Sequence, residues 1–273
     1  MAHERDHQLA HEIAVAAANM LVELRETHGR FAPDDDEAAR AFAKLADRTS
    51  DDFILPLLRE AFPDDAILSE ETEDDLRRLE ANRVWIIDPV DGTWEYSHHR
   101  ADYAVHVALW ERAQGLTAGT VALPGMGEVW STWGGSTPVA VDLPTDRDVR
   151  VVVSRTRPLK DQEQFRHELA VELAPLGVPG VTIVQVGSVG AKVGEILAGR
   201  VDAYVSESGF YEWDGAAPAV AAVHHGLVVS HIDLSPHTYN NSSVRMKSYI
   251  AARPWLAGPL SRVLVSRAER GVS

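Results

Sequence analysis

Four acids stand where apolar runs stop. Glu70 and Glu71 close residues 66–71 (AILSEE), Asp88 ends an apolar run, and Asp91 comes within the same stretch 83–93, RVWIIDPVDGT. Carboxylates gathered at the ends of neighbouring strands repel one another, by roughly 4 kcal/mol for unit charges a few ångströms apart at an effective dielectric of 20. Protons or a cation must therefore sit among them, and Mg²⁺ is the simplest answer, since it prefers oxygen ligands and keeps waters that a substrate can displace. Pro89 fixes one torsion and aims the Val90 carbonyl, while Gly92 lets backbone approach a ligand closely. If the chain turns helical at Thr93, the amides of Gly92 and Thr93 form an anion hook for phosphate. Singly, an acid pair is ordinarily solvated surface and Asp-Pro or Asp-Gly an ordinary turn. It is the ordered combination S-E-E, apolar strand, D-P-V-D-G-T that points to a metal site.

These acids need elements to position them. Leu9, Ile13, Ala16, Ala17, Met20, Leu21 and Leu24 recur at helical spacing over residues 6–25. A second helix is expected to start near Asp36 and a third to span 50–62, with Pro56 counting against the latter. The run 83–88 lacks polar alternation and predicts a strand covered on both faces. Residues 103–110, 116–123 and 128–133 read as an antiparallel meander. The stretch 136–148 holds two prolines and three aspartates and marks a lobe boundary, giving an N-terminal α+β lobe (1–142) and a C-terminal α/β lobe (143–273). In the latter, strands at 151–153, 181–186 and 201–205 alternate with helices at 161–174, 189–199 and 214–225. Strands near Leu227 and Tyr249 and a helix from Trp255 close the chain.

Composition excludes several classes. Lys and Arg total 26 against 41 Asp and Glu, a formal charge of −15 over 273 residues, which argues against nucleic acid or an anionic membrane as partner. With no cysteine, any metal must take oxygen or imidazole ligands, and a reducing, cytoplasmic setting is expected. Charged residues interrupt the N-terminal apolar positions, unlike a signal peptide, and no apolar run reaches 18 residues. The pairs His98-His99 and His224-His225 lack ligand spacing and read as structural.

The acid motif is joined by Glu212-Trp213-Asp214-Gly215-Ala216-Ala217 and by Gly187-Ser188 ahead of Lys192. The spacing from Gly187 to Lys192 is wrong for a P-loop. Together these motifs resemble, over nearly the whole chain, the lithium-sensitive, magnesium-dependent phosphomonoesterases that include inositol monophosphatase, fructose-1,6-bisphosphatase and 3′-phosphoadenosine 5′-phosphate (PAP) phosphatase. The resemblance implies a layered α-β-α-β-α sandwich with the active site between lobes, and two or three Mg²⁺ ions. Glu70, Asp88 and the Val90 carbonyl would hold the first ion, and Asp88, Asp91 and Asp214 the second. Glu70 would help seat a third through water. Thr93 with an upstream aspartate would orient and deprotonate the attacking water; counting back gives Asp47, with Asp51 and Asp52 left open. Glu71 would orient a bound water.

The substrate implied is a small phosphate ester, and dimers are common among the relatives. The Glu95-Tyr96 pair after Thr93-Trp94, the Glu212-Trp213-Asp214 context and Ser235 to Asn240 side with the bacterial CysQ-type PAP phosphatases. The expected activity is hydrolysis of PAP to AMP and phosphate by metal-activated water. An inositol monophosphatase, or a phosphatase of a sugar bisphosphate or specialised nucleotide, is the alternative, and a non-catalytic metal- or phosphate-binding regulator the remaining class. Trp94 replaces the branch's basic residue and could stack on a base or merely pack. Glu207 lies where inositol monophosphatases place a substrate hydroxyl ligand. Gly92, Ser188 and Lys192 would meet substrate, and Arg155 or Arg157 could recognise a second phosphate, against the ordinary reading of such side chains as solvated surface.

Overall fold

The computed structural model describes residues 2–30, 32, 35–136, 142–207 and 209–271. Two long helices, α1 (Glu4–His28) and α2 (Asp36–Ala61), lead into β1 (Ala66–Ser69), β2 (Arg83–Asp91), the short α3 (Thr93–Ser97), β3 (Ala104–Glu111), β4 (Gly115–Leu123) and β5 (Glu128–Ser131). These five strands form one sheet in the order β1-β2-β3-β4-β5. Its first pair is parallel and the others are antiparallel.

The second half of the chain supplies β6 (Val149–Ser154), α4 (Gln162–Leu173), β7 (Val181–Val186), α5 (Val189–Leu197), β8 (Ala203–Ser206), β9 (Phe210–Tyr211) and α6 (Glu212–His224). It ends with β10 (Val228–Ser230), β11 (Arg245–Met246), β12 (Tyr249–Ala252) and α7 (Pro254–Glu269). The second sheet runs β10-β12-β8-β6-β7, and β9 pairs with β11 in a separate ribbon. No helix among the described residues is long and apolar enough to cross a membrane.

Three apolar clusters define the layers. Ala10, Ile13, Ala17 and Leu21 of α1, with Ile54 and Leu58 of α2, pack on Trp85, Ile87, Val105 and Val107. The opposite face of that sheet, with Val84, Ile86, Ala108 and Val121, packs on α5 and α6, which also cover Val152, Tyr204 and Ala251 of the second sheet. Beyond that sheet, Phe165 and Leu169 of α4 and Leu256 and Leu260 of α7 close on Val151, Val153 and Val205. The result is an α-β-α-β-α sandwich. It accounts for the unbroken apolar β2: Trp85 and Ile87 point into one core, Val84 and Ile86 into the other, as the two-residue period requires.

Four expectations are corrected. The second and third helices are one, α2, because Pro56 stands on its exposed face, where the carbonyl it leaves unpaired can meet water. β2 does not stop at Asp88: a register shift between Asp88 and Asp91 marks a bulge, and pairing resumes at Asp91 with Ala104. The strand expected at 201–205 is Ala203–Ser206, and the helix expected from 214 starts at Glu212. The expected lobe boundary at 136–148 overlaps residues 137–141, which lie outside the described residues.

Candidate metal centre

Parallel pairing of β1 and β2 sets Ser69 beside Ile87, and the Glu70 amide donates to the Ile87 carbonyl at 3.3 Å, so Glu70, just past the end of β1, lies beside Asp88. In a regular strand Asp88 and Asp91, three residues apart, would face opposite sides. The bulge removes that conflict, since an extra residue re-aims the side chains beyond it. It is held from two sides: the Val90 amide donates to Asp88 Oδ1 at 3.1 Å, and the buried Ser50 hydroxyl of α2 donates to the Pro89 carbonyl at 2.9 Å. Gly92, at φ +89°, then turns the chain into α3, and a Cβ there would lie 3.1 Å from that of Ser188.

The second half of the chain closes the centre. The Gly190 amide, in the first turn of α5, donates to Asp91 Oδ2 at 2.8 Å. The Tyr211 amide donates to Asp214 Oδ2 at 2.6 Å, fixing the third aspartate at the start of α6. Asp88, Asp91 and Asp214 each offer an oxygen within 4.8 Å of the others. Asp88 is 1% exposed, and its Oδ2 has no hydrogen-bond partner. An orphaned, buried carboxylate oxygen facing two more carboxylates fits a hard cation, or a proton when no cation is bound.

The electrostatics agree. Burial, then Glu70, Asp91 and Asp214, hold the Asp88 carboxyl well above the usual range. Burial together with Asp214 pushes Glu70 up to about 7, and burial together with Asp91 pushes Asp214 up to about 6. Asp91 is raised by burial, against the opposing pull of Lys192. Asp47 rises to about 8 through burial, then Glu71 and Glu70.

Glu70, Asp88, Val90, Asp91, Gly92, Thr93, Trp94, Ser188, Lys192 and Asp214 all line one cavity of about 210 Å³, so the structure brings together most of the residues singled out from sequence. Asp47 stands outside that lining, on the α2 side near Glu70 and Glu71. Among the described residues its carboxylate makes no hydrogen bond to Thr93. Asp51 is occupied, accepting from Ser69 Oγ at 2.5 Å and Thr72 Oγ1 at 3.3 Å, while Asp52 is exposed. Glu71 is exposed, and its amide donates to Ser69 Oγ at 3.4 Å. Lys192 is buried rather than on the helix surface; its ammonium donates to the Gly187 carbonyl, and burial lowers its pKa to about 8.

Glu207 is not brought to the cavity. It accepts from Arg267 Nε of α7 at 3.4 Å and lines a larger cavity of about 680 Å³ that contains none of the cleft acids.

His106 and Arg78 escaped sequence reading, and the partners of Arg155 and Glu212 were not readable from it. His106 faces Asp88 across the β2–β3 pair and is fully buried, with Nδ1 3.2 Å from the Trp213 carbonyl and Nε2 3.3 Å from Asp91 Oδ2. Burial lowers its pKa to about 4, so it is neutral. Arg155 bridges Glu95 (2.8 Å) and Asp102 (2.6 Å), and Asp102 also accepts the Gly187 amide, tying α3 to the β7–α5 connection. Glu212, fully buried, accepts from the Asn240 and Asn241 amides and from Asn241 Nδ2 at 2.6–2.9 Å. Arg78, 2% exposed, donates to Asn240 Oδ1 and the Asn241 carbonyl and pairs with Asp74. This knot joins the segment after Glu70 to the helix that carries Asp214. Glu212→Ala would strand three donors, and a loss of about 3 kcal/mol is expected, read as a lower Tm together with weaker metal binding in calorimetry.

The comparisons with known proteins agree with this geometry. The model of the inositol monophosphatase family matches residues 4–264. A 3′-phosphoadenosine 5′-phosphate phosphatase of Mycobacterium leprae is 38% identical over 268 residues, covering 95% of this chain and 93% of that protein. Among solved structures, an inositol monophosphatase from Zymomonas mobilis superposes with TM-score 0.71 at 21% identity, over 97% of this chain and 99% of the other. CysQ from Bacteroides thetaiotaomicron superposes with TM-score 0.68 at 22% identity, over 92% and 97%. With the acid motif, the fold and nearly the whole length in agreement, the chain belongs to the inositol monophosphatase family.

Proposed function

We propose that the protein is a Mg²⁺-dependent phosphomonoesterase that hydrolyses PAP to AMP and phosphate. The observation that carries the choice of substrate is the 38% identity, across 95% of the chain, to a relative named for that reaction. Two features particular to this chain support it: Glu95 and Glu212, the acids that mark the branch in sequence, are both buried and both spent on fixing the cleft.

In this reading the halves 1–142 and 143–273 meet at the cleft. Glu70, Asp88 and the Val90 carbonyl would hold one ion, Asp88, Asp91 and Asp214 another, with Glu70 reaching a third through water. Bound there, the ions would supply positive charge against the equatorial phosphate oxygens and the leaving oxygen. The amides of Gly92 and Thr93 and the Ser188 side, with Lys192 behind them, seat the scissile phosphate. Thr93 orients the attacking water, and Asp47, on the α2 side beside Glu70 and Glu71, takes its proton. Glu71 steadies water at the open edge. The water enters in line with the leaving oxygen, so no phosphoenzyme forms.

The test is phosphate release from PAP with Mg²⁺, which Li⁺ is expected to inhibit. Faster hydrolysis of inositol 1-phosphate than of PAP would reject the substrate and favour the inositol reading.

A further inference from the structure

A cavity of about 210 Å³ can take a phosphate group and its ions but not a nucleotide, since pockets that enclose such ligands begin at roughly 300 Å³. The rest of the substrate must therefore extend past the mouth. Among the exposed residues lining the cavity are Trp94, 45% exposed with one face stacked on His98 at 4.2 Å, and Arg157, in the loop after β6.

Arg157 differs from the other cations near the cleft. Arg155 is committed to Glu95 and Asp102, and the Lys192 ammonium is buried against the Gly187 carbonyl and the Tyr204 ring. The guanidinium of Arg157 has no ion pair or hydrogen bond among the described residues. Its backbone is nevertheless held, since its amide donates to Ser154 Oγ at 3.2 Å, and Ser154, Thr156 and Arg157 line the cavity together. An uncommitted guanidinium at the lip of an acidic cleft is fitted to an anion that the metals do not hold, and its planar fork suits phosphate.

We propose that Arg157, with the Thr156 hydroxyl beside it, binds the second, non-scissile phosphate of a bisphosphorylated substrate and so sets the preference for bisphosphates over monophosphates. The inference rests on the phosphatase reading above but not on PAP being the ester. Arg157 touches substrate away from the reacting phosphorus, so it acts on KM and leaves kcat in place.

The experiment compares wild type, Arg157→Ala and Arg157→Lys on matched pairs: PAP against adenosine 3′-monophosphate, and fructose 1,6-bisphosphate against fructose 1-phosphate. Arg157→Ala is expected to raise KM for the preferred bisphosphate about 10- to 100-fold, with kcat and the monophosphate constants nearly unchanged. Arg157→Lys should recover part of the loss, and high salt should shrink the difference. Equal effects on both members of a pair, no effect, or a wild type without bisphosphate preference would overturn the assignment. Preference for the sugar bisphosphate, lost in Arg157→Ala, would keep Arg157 and reject PAP. Preference for PAP untouched by the substitution would do the reverse.

Discussion

Asp88→Asn is expected to lower kcat for phosphate release by about 10³-fold or more while making the metal-free protein more heat-stable. Asn is nearly isosteric, and its side-chain oxygen can still accept the Val90 amide, so the bulge survives. What is lost is the charge on the one carboxylate proposed to serve two ions. Metal stabilisation of developing charge is worth several kcal/mol, and each 1.36 kcal/mol is a factor of ten. In the metal-free state the same change removes a buried group crowded by Glu70, Asp91 and Asp214 and leaves fewer acids competing for protons. Opposite movements of activity and Tm separate a binding site from a structural ion pair, whose loss would lower both. Unchanged phosphate release would end the hydrolase reading.

The second large effect is the pH dependence of the metal-free protein. Asp47 at about 8, Glu70 at about 7 and Asp214 at about 6 all lie above their ordinary values of 3.8, 4.5 and 3.8. Between about pH 4 and pH 8 the folded chain therefore holds protons that the unfolded chain has released. Stability is fully present below the unfolded values and is lost as pH rises through the folded ones. After chelation, Tm is expected to fall by several degrees between about pH 5 and pH 8. Mg²⁺ displaces these protons, so its affinity and its stabilisation should grow over the same window, with proton release measurable by calorimetry in buffers of different ionisation enthalpy. A metal-free Tm that climbs across this range would contradict the site.

Much of this centre was legible in the sequence, because carboxylates at strand ends and an early-helix aspartate are local patterns. The bulge was not: Pro89 next to Asp88 suggests a turn, and only pairing with β3 shows that the strand resumes at Asp91. His106 was hidden for a related reason, since a lone histidine inside an apolar strand carries no signal until its cross-strand neighbour, Asp88, is known. Glu207 shows the limit of counting. Its offset from Asp214 matched a family position, but Arg267, fully buried on α7, draws the carboxylate elsewhere. Arg155 and Arg157 are indistinguishable on paper and divide once Glu95 and Asp102 are placed. Likewise Pro56 argues for a break in α2 only while the face it occupies is unknown.

The middle layer has a consequence for how the protein is made. The inner face of the first sheet, with Val84, Ile86, Ala108 and Val121, is covered by helices that end at Leu197 and His224. A growing chain that has finished β5 at Ser131 thus leaves the ribosome with an oily surface bare until some ninety residues more, about five to twenty seconds of synthesis, have been added. During that interval the nascent sheet is a natural client for a chaperone that shields apolar faces, and slowed translation between β5 and α6 should raise the fraction lost to aggregation.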